Sequence, residues 1–296
     1  MIEPTIVSGK EVATKIKEEI ALEVEKMKVN GGKIPHLAAV LVGDDGASVT
    51  YVNGKVKACE KVGFHSTLVK LAPSITQEAL LLEVEKLNQN EDIDGFIVQS
   101  PLPPHIDEQK ITEAILPQKD VDGFHPMNLG KMMLGLPCFL PATPYGITEM
   151  LKHYQIPTEG KHCVVMGRSH IVGSPMSVLM GRNSNPGNCT VTMVHSRTQN
   201  LKQITLQADI LIVAIGKVQF VTADMVKEGA TVIDVGIHRV EDDAKKSGYR
   251  LVGDVKFDEV APKCAFISPV PGGVGPMTIA SLLKNTLLAV QSTVKN

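Results

Sequence analysis

The chain has 296 residues, 43% hydrophobic and 21% charged, with a formal net charge of −2. This is the composition of a globular protein large enough for two domains, and the near-neutral balance gives no electrostatic footing for nucleic acid or an anionic membrane. Cys59, Cys138, Cys163, Cys189 and Cys264 are scattered without a C-x-x-C pair, which argues for a reducing compartment and against a disulfide framework or zinc site.

At the N-terminus no charged leader precedes an apolar run, so no signal peptide is expected. No apolar stretch has the length to span a bilayer, and the chain reads as cytoplasmic. Ser8-Gly9-Lys10-Glu11 is a capping box. It opens a helix to about Val29 with Val12, Ile16, Ile20 and Val24 on one face. Gly31-Gly32 ends it, His36–Val42 reads as a strand, and Gly43-Asp44-Asp45-Gly46 is the exit loop. A second helix runs from about Ser48 to Val62 and stops at Gly63. Thr67–Leu71 is a short strand, and Thr76–Asn90 a helix with Leu80, Val84 and Leu87 inward. Asp94–Gln99 is a buried strand leaving into Ser100-Pro101-Leu102-Pro103-Pro104. A helix over about Asp107–Leu116 precedes Lys119-Asp120-Val121-Asp122-Gly123-Phe124. The alternation implies a parallel sheet covered by helices.

Thr143 and Pro144 suit the N-cap and first position of a helix to about His153, marking a domain boundary. Beyond it, His162–Pro175 reads as a strand (Cys163–Met166), a turn at Gly167 and a helix from near Ile171. Free N–H groups and a helix dipole at such a turn form an anion site. The spacing G-x-S-x-x-x-G-x-P is nevertheless not the strict G-x-G-x-x-G of dinucleotide folds. A further strand, Val191–Val194, ends in His195-Ser196-Arg197-Thr198. An NAD site usually has an acid there; Ser196 and Arg197, with Arg168 in the turn, suit a 2′-phosphate instead and favour NADP. The alternative is ordinary surface arginines. Apolar runs at 210–214, 231–235 and 265–267 complete a second sheet. Pro269–Met277 is a rigid glycine-rich turn, and a last helix over about Thr278–Val294 is expected to return to the first lobe, leaving a cleft. The expected architecture is two α/β lobes, 1–142 completed by 276–296, and a Rossmann-like 143–275.

Tyr51 and Lys55 lie four apart and share one helix face. Gln99 ends a strand of the same sheet, and ligands gather outside strand carboxyl ends, so the three can converge. A lysine in a cleft there can be shifted toward neutrality and carry protons. From spacing alone, a solvated lysine beside a packed tyrosine is the simpler reading. Asp122 is either a turn carboxylate or an acceptor for ring N–H groups of a heterocycle. Gly272, Gly273 and Gly275 either serve unusual backbone angles or let the backbone approach a flat ligand. The nine histidines show no metal-ligand spacing. No G-x-S-x-G nucleophile elbow and no G-x-x-x-x-G-K-[ST] phosphate loop is present, and no metal is expected.

Taken in order, these segments resemble the bifunctional methylenetetrahydrofolate dehydrogenase/methenyltetrahydrofolate cyclohydrolase family. The matching stretches are Val42-Gly43-Asp44 through Ser48-x-x-Tyr51-x-x-x-Lys55, Gly95–Pro103, Lys119–Phe124, Gly167–Pro175, Asp234–Ile237, Val252–Val255 and P-V-P-G-G-V-G-P-M-T at Pro269–Thr278. The resemblance implies NADP-dependent oxidation of 5,10-methylenetetrahydrofolate and hydrolysis of the methenyl product to 10-formyltetrahydrofolate. It implies Lys55 as the acid/base, tuned by Gln99, with Tyr51 orienting the folate and Asp122 holding the pterin. Val98, Ser100, Pro271, Gly272, Gly273, Val274, Gly275, Pro276 and Thr278 are implied to line the folate site. Gly167, Arg168, Ser169, Ser196, Arg197 and Ile237 match the cofactor contacts, and a homodimer is expected. Ser100 stands where the family more often has Leu, and the loop Asn183–Cys189 is longer than usual. Two other classes fit parts of the pattern: a dehydrogenase alone, on methylenetetrahydrofolate or a small hydroxy or keto acid, and a non-catalytic folate or nucleotide binder.

Overall fold

A computed structural model describes residues 3–245 and 248–291. The end of the expected C-terminal helix, 292–294, and the last two residues of the expected 276–296 segment lie outside those residues. Contacts divide the chain into two units, one of residues 3–13 with Thr143–Thr278 and one of Thr14–Ala142 with 279–291. In chain order the elements begin with β1 (Thr5–Ile6), α1 (Gly9–Val29), β2 (His36–Val42), α2 (Gly46–Val62), β3 (His65–Leu71), α3 (Gln77–Gln89) and β4 (Gly95–Val98). Helices α4 (Glu108–Ala114), α5 (Pro126–Met133) and α6 (Ala142–His153) follow. The second half contains β5 (His162–Met166), α7 (Gly173–Gly181), β6 (Thr190–Val194), α8 (Leu201–Thr205), β7 (Ile210–Val213) and β8 (Ala230–Asp234). It closes with β9 (His238–Glu241), β10 (Tyr249–Val252), α9 (Phe257–Val260), β11 (Cys264–Ile267) and α10 (Val274–Val290). Among the described residues no helix is long and apolar enough to cross a membrane.

In the unit of Thr14–Ala142 and 279–291, a parallel sheet in the order β3-β2-β4 forms the frame. Its core joins Ala38, Val40 and Phe96 to Leu80, Val84 and Leu87 of α3, the three positions the helical period selects. Burying each of these larger side chains contributes roughly 2 kcal/mol, enough to hold a helix of modest intrinsic propensity. Ile16, Ile20 and Val24 of α1 are likewise buried. From the C-terminal helix, Asn285 donates to the carbonyls of Val121 (2.8 Å) and Leu140 (2.9 Å). The expectation that the last helix returns to the first lobe holds in this sense.

The other unit is built on six parallel strands in the order β1-β11-β8-β7-β5-β6. Ile210–Val213 is buried along its whole length, as in a parallel sheet covered on both faces. An antiparallel hairpin, β9–β10, stands outside this sheet.

Several boundaries differ from those read in the sequence. Residues 3–13 group with the second sheet rather than with 14–142, because β1 pairs with β11; a two-residue strand is too short to show a period. Helix α6 starts at Ala142, whose N–H bonds the Asp122 carbonyl at 3.2 Å, so Thr143 is inside the first turn and its hydroxyl meets Thr278 at 3.0 Å. Helix α7 starts at Gly173 rather than near Ile171. Helix α10 starts at Val274, and Pro276 occupies its first turn, where a missing N–H costs nothing. The rigid turn is therefore shorter than 269–277. At α1, Ser8 Oγ accepts from the Glu11 N–H, but the Ser8 N–H donates to Tyr154 Oη, which itself donates to Glu11. The capping box is closed through a tyrosine.

Candidate active site

Lys55 projects from α2, which Asp45 caps through the Ser48 N–H. Its side chain is 5% exposed, an uncommon state for lysine. The ammonium donates to Gln99 Oε1 at 3.0 Å, and Gln99 Nε2 donates to the Ser100 carbonyl at 2.6 Å. Gln99 thus has its oxygen aimed at Lys55 and its amide group used to orient it. Burial lowers the Lys55 pKa, against a smaller raising effect of the Asp122 carboxylate. Burial in turn raises that of Asp122, opposed by Lys55. Desolvation outweighs the mutual attraction in both, so each is displaced toward its neutral form. Tyr51, one turn earlier, is 39% exposed. Val98 and Gln99 are half-buried and Ser100 is exposed, its hydroxyl on Glu108 at 3.3 Å.

Asp122 is held by its neighbours. The Asp120 carboxylate accepts the N–H groups of Gly123, Phe124 and His125 and the Asn128 side chain. Burial pushes Asp120 up to about 7 in spite of these donors. Gly123 has φ +77°, and a Cβ there would strike the Leu140 backbone, so the turn demands glycine. Glu108 likewise fixes the segment after Gln99, accepting the Leu102 N–H at 2.7 Å.

In the unit of the six-stranded sheet, Gly167, Arg168, Ser169 and Ser196 line one pocket of about 280 Å³. It lies at the carboxyl ends of β5, β6 and β7, where ligands of open α/β sheets bind. Gly167 has φ +121°, and a Cβ would collide with the Ala214 carbonyl oxygen. Ser169 Oγ accepts from the Val172 N–H at 3.1 Å, closing the turn before α7. Arg168, Ser196 and Arg197 are exposed. Arg197 and Ile237 do not line the pocket. Pro271–Pro276 and Thr278 belong to this unit, with Gly272 at φ +99° and Gly273 pressed against the Pro269 carbonyl.

The model of the tetrahydrofolate dehydrogenase/cyclohydrolase catalytic domain matches residues 7–122, and that of the family's NAD(P)-binding domain matches 141–294. The chain belongs to the tetrahydrofolate dehydrogenase/cyclohydrolase family. It is 72% identical over 284 residues to the bifunctional protein FolD of Cytophaga hutchinsonii, covering 96% of this chain and 98% of that one. Among solved structures it is similar to FolD of Campylobacter jejuni, at 47% identity and TM-score 0.91, covering 97% of this chain and 98% of that one. It is also similar to FolD of Trypanosoma brucei complexed with NADP and an inhibitor, at 39% identity and TM-score 0.93 over the full length of both chains. As a member of the tetrahydrofolate dehydrogenase/cyclohydrolase family it is a bifunctional enzyme, with the family's catalytic and NAD(P)-binding domains in one polypeptide.

The pocket in the NAD(P)-binding domain suits a phosphorylated nucleotide. Its glycine turn admits close backbone approach, and Arg168, Ser169, Ser196 and Lys217 offer charge and hydroxyls. Its other walls include Leu201, Ile215 and Phe220, with Lys217 over the Phe220 ring at 5.2 Å. The sequence reading missed Lys217 and Phe220, although both follow a buried apolar run ending at a strand carboxyl end. It also missed Glu108 and Asn285, which no motif or period marks, and the part played by Asp120 inside the Lys119–Phe124 motif. Among the described residues no cluster of His, Cys, Asp or Glu could hold a metal ion.

Proposed function

We propose that the chain oxidises 5,10-methylenetetrahydrofolate with NADP⁺ and hydrolyses the methenyl product to 10-formyltetrahydrofolate, with Lys55 as the proton carrier. The observation carrying this reading is the buried Lys55 ammonium, lowered in pKa and directed at Gln99 Oε1. The methenyl group is cationic, so a permanently charged lysine beside it would be unfavourable, whereas a neutral amine is a useful base. In the hydrolytic step, water adds to the methenyl carbon and Lys55 takes its proton. That proton then goes to N5 as the carbon–N5 bond breaks, and the hydroxyl proton leaves to solvent as the carbonyl forms, so the formyl group stays on N10 and one proton is released overall. Gln99 holds the amine in place; Asp122 opposes too deep a fall in its basicity and holds the pterin, and Tyr51 orients the folate. Val98, Ser100, Pro271–Pro276 and Thr278 line the folate.

NADP⁺, when bound, supplies the hydride acceptor. Arg168, Ser169, Ser196 and Arg197 hold its phosphates, Gly167 admits its backbone approach, and Ile237 completes the contacts. The enzyme is further proposed to be a cytoplasmic homodimer. Five free thiols fit a reducing compartment, and β6 leaves an outer sheet edge with Met193 exposed; sedimentation of the purified chain measures its state.

The test of function is spectroscopic. Purified protein is given 5,10-methylenetetrahydrofolate with NADP⁺ or NAD⁺, and reduced nicotinamide and the methenyl intermediate are followed together. Methenyltetrahydrofolate is then supplied directly. NADPH formation with enzyme-dependent methenyl decay is expected. Accumulating methenyl would leave a dehydrogenase alone, and no turnover with either cofactor would favour a binding protein.

A further inference from the structure

Two buried aspartates outside the assigned site tie together the backbone segments around the nucleotide pocket. Asp254 is fully buried and lies two residues beyond β10. Its Oδ2 accepts the N–H groups of Ile215 (2.8 Å) and Gly216 (2.9 Å), and its Oδ1 accepts that of Lys217 (2.8 Å). The same Oδ1 meets His238 Nε2 at 2.7 Å. Three consecutive amides turned onto one anion form a nest, and Ile215 and Lys217 both line the pocket. Asp234, at the end of β8, plays the complementary part. Its carboxylate accepts the N–H groups of Gly236, Asp254 and Val255 at 2.9–3.0 Å. The two aspartates leave no room for a Cβ at Gly236 or Gly253.

This arrangement has a chemical consequence. With their N–H groups committed to Asp254, residues 215–217 have no amides left for phosphate, and the phosphate donors must come from the Gly167–Ser169 turn and from side chains. The loop after β7 is then a wall whose position depends on one anion. His238 is the only side chain among the four donors to that anion, and it is half-buried, with 20% of its surface exposed. It also follows Ile237 directly and opens β9, whose partner residue Val252 leads back to Asp254. The His238–Asp254 hydrogen bond therefore links the 236–238 segment, through that carboxylate, to the amides of the 215–217 loop.

We propose that Asp254 and His238 are positioning residues for the nicotinamide cofactor. They touch no substrate; they set the distance between the Ile215–Lys217 wall and the Ile237 segment, and so set cofactor affinity. The inference rests on the reading of the pocket as the NADP site.

The cyclohydrolase reaction provides an internal control, because it needs no cofactor when methenyltetrahydrofolate is supplied. His238→Ala removes the side-chain donor, and His238→Gln keeps an N–H within reach. His238→Ala is expected to raise the NADP⁺ Kd by titration, and the dehydrogenase KM for NADP⁺, by about tenfold, the value of one hydrogen bond to a charged group. The cyclohydrolase kcat should stay within about twofold of wild type, and His238→Gln should recover most of the affinity, as donor geometry and not ring packing would decide it. Unchanged NADP⁺ affinity in His238→Ala overturns the proposal. So does a parallel loss of both activities with a lowered melting temperature, which would make the pair a fold element only. If the wild-type chain itself fails to bind NADP⁺, the reading of the pocket falls, and this inference with it.

Discussion

Lys55, itself buried, donates to a neutral acceptor, Gln99, and feels the charge of a carboxylate, Asp122. Replacing it with methionine keeps the length and removes the amine. Lys55→Met is expected to cost the cyclohydrolase reaction about a hundredfold or more, the usual worth of a positioned acid/base, while some hydride transfer survives. Retention of both activities in a stopped-flow assay would remove Lys55 from the mechanism. Asp122 raises the Lys55 pKa, and burial lowers it further than Asp122 restores it. The neutral amine accumulates as pH rises through that lowered pKa. Asp122→Asn deletes the raising influence, so the ascending limb of kcat against pH, at saturating methenyltetrahydrofolate, should move to lower pH. A limb that moved upward would contradict the assigned coupling. At this scale the sequence was half informative. The four-residue spacing put Tyr51 and Lys55 on one helix face, but it also suited a solvated lysine, because burial is not a property of spacing.

The elements show a regularity that the sequence does not display as a repeat. His36 opens β2 and His162 opens β5, and each donates its backbone N–H to an aspartate preceding a neighbouring strand, Asp94 or Asp209, at 2.9 Å. Each ring Nε2 meets a threonine hydroxyl on the other flank, Thr67 at 2.8 Å and Thr192 at 2.9 Å. Each aspartate pairs with a lysine, Lys33 at 2.8 Å and Lys227 at 2.6 Å. The registers agree, with His36 opposite His65 and His162 opposite Thr190, so the threonine lies two residues further on in both. The order β3-β2-β4 recurs as β6-β5-β7. Four polar residues at unequal separations make no sequence period, yet they close the amino ends of two sheets in the same way. The two latches differ in exposure: the Asp94 side chain is 1% exposed and that of Asp209 31%. Water can replace the partners of Asp209 but not those of Asp94. Asp94→Ala should therefore cost about 2–3 kcal/mol and Asp209→Ala about 1 kcal/mol, measured by calorimetry; equal costs would mean that burial does not set the difference.

For the whole molecule, the chain passes between its two units three times, each time within a helix: α1, the first turn of α6, and α10. Ligand linkage should report on the unit that binds NADP⁺. At a hundredfold excess over Kd, NADP⁺ should stabilise the fold by about 2.7 kcal/mol, seen as a rise in melting temperature. The rise should be smaller with NAD⁺ at the same concentration. Arg168→Ala should reduce the NADP⁺ effect much more than the NAD⁺ effect, since the guanidinium is assigned to the 2′-phosphate. Equal reductions would leave that phosphate without its assigned partner.

By itself the sequence determined the α/β class, the order of the main strands and helices, the glycine turn at Gly167 and the family. Apolar period, turn chemistry and motif spacing act over a few residues and are written locally. Only the tertiary structure decided that Lys55 is buried on Gln99, 44 residues away. It also decided that β1 belongs to the second sheet, and that Asp254 collects the amides of residues 215–217, 37 to 39 residues earlier. Each depends on desolvation and on partners brought together by the fold, and neither is a function of neighbouring residues.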